Sequence, residues 1–61
     1  MSACDTLRNF ISSLQPAVQD LLKHHIKSEE EEMLAARSED ARVRLVQDFM
    51  QEVRESLQSN R

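Results

Sequence analysis

Residues 23–32 read Lys23-His24-His25-Ile26-Lys27-Ser28-Glu29-Glu30-Glu31-Glu32, a run of basic and imidazole side chains answered at once by four carboxylates. A helix C-terminus carries a partial negative charge that favours Lys23, His24, His25 and Lys27, and a helix N-terminus favours Glu29 to Glu32. Ser28 and Glu31 stand at capping-box spacing, where hydroxyl and carboxylate each satisfy a backbone donor of an opening turn. The stretch therefore predicts a helix boundary near Lys27 or Ser28 without a glycine, and with it a helical hairpin. The competing reading is one continuous helix over about residues 16 to 58, with Lys27 and Glu31 paired across a turn. Carrying the upstream apolar register through places Ser28, Glu32, Glu39 and Arg42 on the buried seam, which is poor material for one.

Upstream, Leu7, Ile11, Leu14, Val18, Leu21 and His25 follow steps of four and three, the spacing of an amphipathic helix. Phe10, Leu22 and Ile26 widen the stripe, and Asp5 is a candidate N-cap. Pro16 removes a backbone donor and disfavours helical geometry at Gln15, so helix 1, about residues 5–27, is expected to kink there or to restart with Pro16 in its first turn.

Downstream, helix 2 is expected over about residues 29–58, with an interruption at Arg37 and Ser38, where the helix-start chemistry of Ser-Glu-Asp recurs. Its apolar residues form two seams, Val43, Val46, Met50, Val53 and Leu57 on one and Leu34, Ala41, Leu45 and Phe49 on the other. One antiparallel neighbour covers only one of them, and an uncovered seam is a large apolar patch in water. The fold class expected is all-α, a hairpin with its first helix kinked or broken at Pro16, assembling into a four-helix bundle or coiled-coil dimer. The polar tail from Gln58 to Arg61 is expected to fray.

Composition bounds the rest. In 61 residues there is no glycine, one proline and two aromatic residues, so hairpin turns and strands have little to build on. Chains of this length bury only about 60% of their unfolded surface, and small natural domains add disulfides, metals or oligomerisation. Cys4 is the only cysteine, which closes off an intrachain bridge and fits a reducing compartment; a free thiol in a small apolar niche is the expectation. Net charge is −3, with the acids concentrated after residue 28 and no clustered basic face, which argues against nucleic acid. There is no apolar run of roughly 18 residues and no basic flank before a hydrophobic segment at the N-terminus, so neither a membrane span nor a secretory signal is read, and an intracellular location, cytoplasmic or nuclear, is the default.

The candidates for chemistry are few. His24 and His25 beside the glutamate run suggest a metal, but structural zinc wants four nitrogen or sulfur ligands, and a helix C-terminus explains the pair; a buried His25 would couple assembly to pH. Consecutive carboxylates on a helix diverge, so Glu29 to Glu32 read as a solvated helix start rather than a hard-cation site. Ser28 and Ser38, each followed by acids, are candidate phosphorylation sites for an acidic-directed kinase. With no glycine to bring backbone against phosphate and no nucleophile with an orienting base, no catalytic residue, cofactor or small-molecule substrate is expected.

In layout the chain is similar to the dimerisation and docking modules of kinase regulatory subunits, in which two helical hairpins form a four-helix bundle that receives a partner helix; the proline pair usual in their turn is missing here. The expected function is a non-catalytic interaction module, for dimerisation or scaffolding. Its interface is drawn from Leu7, Ile11, Leu14, Val18, Leu21, Leu22, Leu45, Val46, Phe49, Met50, Val53 and Leu57. Met33, Phe49 and Met50 could instead form an adaptable peptide-binding surface, though at helical spacing they read as plain core. The alternative function is a small regulatory or inhibitory subunit that folds on binding an unrelated protein. Partners are thus itself or another helical protein, with no nucleic acid and no membrane.

Overall fold

A computed structural model of the chain describes residues 2–59, and these form an all-α structure of four helices: α1 (Ala3–Ser13), α2 (Pro16–Leu21), α3 (Lys23–Ala35) and α4 (Glu39–Ser59). The 21-residue α4 is the axis of the molecule, about 31 Å long at 1.5 Å per residue. It accounts for most of the 37 Å longest dimension. α1 and α3 both pack against α4, and α2 packs on α3.

Three local causes place the breaks. Gln15, preceding Pro16, is pushed into extended backbone at ψ 147°, and Leu14 is extended at ψ 150°. Pro16 then opens α2, where its missing N–H would have had no helical partner. The first helix is thus broken at Pro16 rather than kinked. Gln19 closes the break, its Nε2 donating to the carbonyls of Ile11 and Leu14 at 2.9 Å, beside the bond that Leu14 N already makes to Ile11 O. At Leu22 the backbone bends to φ −97° and ψ 6°. The bonds from Leu22 N to Val18 O and from Ile26 N to Leu22 O persist across that bend. The last break is at Ala36 to Ser38, where Ser38 Oγ accepts from Ala41 N at 3.1 Å, with Glu39 and Asp40 in the first turn of α4.

The boundary expected near Lys27 or Ser28 is not there. α3 runs through both residues, so Ser28 and Glu31 do not form a capping box and Ser28 is exposed in mid-helix. The helix-start signal repeated at Ser38 prevails, because Arg42 caps the preceding carbonyls: its Nε donates to Met33 O at 3.2 Å and its Nη2 to Ala36 O at 3.0 Å. Helices over residues 5–27 and 29–58 are therefore replaced by four shorter spans, and the hairpin by α1 and α3 packed on α4 with α2 on α3. The continuous helix over residues 16–58 fails at the same breaks. Asp5 is not the N-cap of α1 either; its own N–H donates to Ser2 Oγ at 3.2 Å, which makes Ser2 the cap. α4 continues through Gln58 to Ser59, so fraying does not begin at Gln58, and Asn60 and Arg61 lie outside the described residues.

Breaking the first helix solves the two-seam problem that a single antiparallel neighbour leaves open. α1 runs parallel to α4, its start tied by Ala3 N donating to Glu39 Oε2 at 2.7 Å and its middle by a T-shaped contact of Phe10 on Phe49 with ring centroids 6.4 Å apart. α3 runs antiparallel on the other flank, with Met33 held beside Arg42 and Leu22 near Ser56. The buried core is Ala3, Leu7, Met33, Val46, Phe49 and Val53, with Phe10, Ile11, Leu14, Leu22, Ile26, Leu45 and Met50 packed around it. The buried line of α4 is Val46, Phe49 and Val53, which takes members from both expected seams.

Candidate protein-interaction surface

The residues expected at an interface divide into three groups. Leu7, Val46, Phe49 and Val53 are spent inside the single chain, fully buried. Ile11, Leu14, Val18, Leu22, Leu45 and Met50 are half-buried. Leu21 and Leu57 are exposed, Leu21 at 75%. Leu34, placed by sequence on one seam of the second helix with Ala41, Leu45 and Phe49, stands 81% exposed instead, because the break at Ala36 puts it on α3 and turns it outward.

Of these twelve, Leu7 and Ile11 come together with Ile26, Met33 and Leu34 along the surface between α1 and α3. There an open groove of about 610 Å³ has Leu7 and Met33 at its base, Ile11, Ile26 and Leu34 along it, and Cys4 among its lining residues. Arg8, Lys27, Glu30 and Glu31 line the same groove, so apolar walls are bordered by both signs of charge. Cys4 is a free thiol and is exposed, rather than sheltered in an apolar niche, because the α1 face that buries Ala3 and Leu7 turns it away from the core.

A second, more polar cleft of about 350 Å³ lies between α3 and α4, lined by Leu22, His25, Glu29, Glu32, Phe49, Glu52 and Val53 among others. Glu29 is the buried charged residue of the structure, 9% exposed, and its Oε2 has no hydrogen-bond partner. Burial first, then the charges of Glu32, Glu52 and Asp48 and a hydrogen bond to Glu32, raise its carboxyl above the ordinary carboxylate range. Sequence reasoning placed Glu29 in a solvated helix start. The signal that finds it is the series Leu22, Ile26, Glu29 and Met33, steps of four, three and four, which is the α4-facing row of α3. The breaks after Leu14 and at Leu22 rotate the buried face from the Leu21 and His25 row to this one, and His25 is exposed.

Ser38 is engaged as the cap of α4, and Ser28 lines the acidic cleft, where a phosphate would meet carboxylates. Among the described residues, no group of three or more His, Cys, Asp or Glu is arranged to hold a metal ion, and no helix is long and apolar enough to cross a membrane. Compared with known protein families, curated proteins and solved structures, the chain matches none.

Proposed function

We propose that the chain is a non-catalytic helical interaction module that pairs with a second copy of itself through the groove between α1 and α3. The observation that carries this reading is the apolar groove with Leu34 exposed at 81% beside it, a large side chain left in water next to a surface of the same character. A two-fold arrangement sets Leu34 of each copy into the groove of the other, so one contact covers both exposed elements. The border supports a self-complementary contact, since Arg8 and Lys27 of one copy can face Glu30 and Glu31 of the other. The two copies together would form a bundle of helices with a thicker core than one chain provides. Burial of apolar surface is the mechanism, at about 25 cal/mol per Å² removed from water, and the charges set register.

Sedimentation at micromolar to millimolar concentration tests it. The wild-type chain is expected to shift from monomer to dimer over that range, and Leu34→Asp to remain monomeric with its own melting changed by no more than about 0.5 kcal/mol, as for an exposed position. A wild-type chain that stays monomeric at millimolar concentration, or a Leu34→Asp chain that dimerises as before, overturns the proposal.

A further inference from the structure

We infer that the cleft between α3 and α4 is a receptor for one arginine side chain of a protein other than this chain, its guanidinium held by Glu29, Glu32 and Glu52 and its stem laid against Phe49 and Val53. Carboxylates on a surface are by themselves ordinary. The observation that separates this group is Glu29, more than nine-tenths buried, lining the cleft, with Oε2 lacking any partner. A buried acceptor left unmade costs about 1–3 kcal/mol, and native structures retain few of them. Among the described residues no donor reaches Oε2. The one intrachain ion pair among the described residues, Arg42 with Glu39 at 3.8 Å, lies at the start of α4, and Arg54 is stacked 5.7 Å from the Phe10 ring centre.

The surroundings specify the cation. Glu32 and Glu52 line the cleft with Glu29, and Asp48 adds its field, so negative charge is concentrated on one seam. A hard metal ion needs converging oxygens at short range, and no such grouping is present among the described residues. A guanidinium is flat, weakly hydrated and able to serve two carboxylates at once, and it tolerates an aromatic wall; an ammonium is a compact, strongly hydrated point charge. Phe49, Val53 and Leu22 supply the apolar wall. A net charge of −3 draws in a partner of net positive charge, which an acidic second copy is not, and so points to a different protein as the donor. This site lies on a different seam from the groove proposed for self-pairing, so the two can fail separately.

The test is a titration of isotopically labelled protein at low salt and pH 7.5 with N-acetyl-arginine amide, following the side-chain carboxyl signals of Glu29, Glu32 and Glu52. Saturable shifts centred on Glu29, with half-saturation in the millimolar range, are expected. Glu29→Gln, checked for retained helicity, should weaken them at least tenfold, and the uncharged N-acetyl-norleucine amide should produce none. Equal or larger shifts from N-acetyl-lysine amide or calcium chloride, or arginine amide acting no differently from sodium chloride, overturn the inference. Sedimentation of Glu29→Gln gives the last arm. Unchanged self-association supports a foreign donor, and dissociation of a wild-type dimer would assign the arginine to a second copy and overturn it.

Discussion

The two flanks of α4 are built from opposite materials. On the α1 side, Ala3 and Leu7 are buried, Phe10 meets Phe49 edge to face, and polar groups are matched: Glu39 accepts from Ala3 N at the positive end of α1, and Arg54 lies over the Phe10 ring. On the α3 side, the row Leu22, Ile26, Glu29 and Met33 carries a carboxylate in the middle, facing Asp48 and Glu52 across the seam. The comparison teaches that a chain with little core can close one flank with apolar contacts and still hold a carboxylate inside the other. The α1 flank holds the fold, and the α3 flank is where protonation or a cation changes its stability.

The strongest way to break this comparison is at Phe49, which belongs to both flanks. Phe49→Ala removes the contact with Phe10 and a wall of the acidic cleft, and should cost about 3–5 kcal/mol. For so small a domain that is enough to abolish a cooperative thermal transition followed by circular dichroism; a loss below about 1 kcal/mol would show that the α1 flank is not the main support.

Next comes the clasp that joins α3 to α4. Arg42→Ala deprives the carbonyls of Met33 and Ala36 of their donor and should cost about 1.5 kcal/mol in urea unfolding. Arg42→Lys should recover only part of this, since one ammonium does not reproduce the fork.

Glu29 sharpens the contrast with a sign. Glu29→Leu should stabilise the chain by about 1 kcal/mol at pH 7, by relieving a buried carboxylate whose Oε2 has no partner. Burial and the neighbouring carboxylates raise the folded-state pKa of Glu29 above its reference value of 4.5, so the folded chain holds this proton more tightly than the unfolded chain does. Stability from this group is fully present below the unfolded value and is lost as pH rises through the folded one. The advantage of Glu29→Leu over wild type should therefore shrink as pH falls from neutral toward 4.5, and an advantage independent of pH would count against it. The smallest effect is expected at Ser38→Ala, which removes the cap of α4 and should lower stability by about 0.5 kcal/mol with no dependence on pH in this range.

Much of this was legible in the residues. The absence of glycine and the abundance of helix formers implied an all-α chain, Pro16 marked a break because it lacks a donor wherever it sits, and Ser38-Glu39-Asp40 carried its start signal locally. The exposed apolar material was legible as an excess, though its location was not: Leu34 belonged by sequence to a core seam and stands in water. Ser28-Glu29-Glu30-Glu31 carried as good a start signal as Ser38 and was overruled. Both positions satisfy the same local chemistry, and only the second has Arg42 folded back to receive the carbonyls of the helix before it.

Local chemistry, then, determined which segments are helical and where Pro16 interrupts them, because capping groups and a missing donor act within a few residues. The tertiary structure alone decided which of two equivalent starts was used, that α4 has neighbours on two flanks, and that Glu29 faces inward. Those outcomes depend on the rotation of each helix about its axis, and two breaks in the backbone, after Leu14 and at Leu22, shift that rotation by one residue. A step of about 100° per residue at 3.6 residues per turn is enough to exchange His25 for Ile26 and Ser28 for Glu29 in the seam.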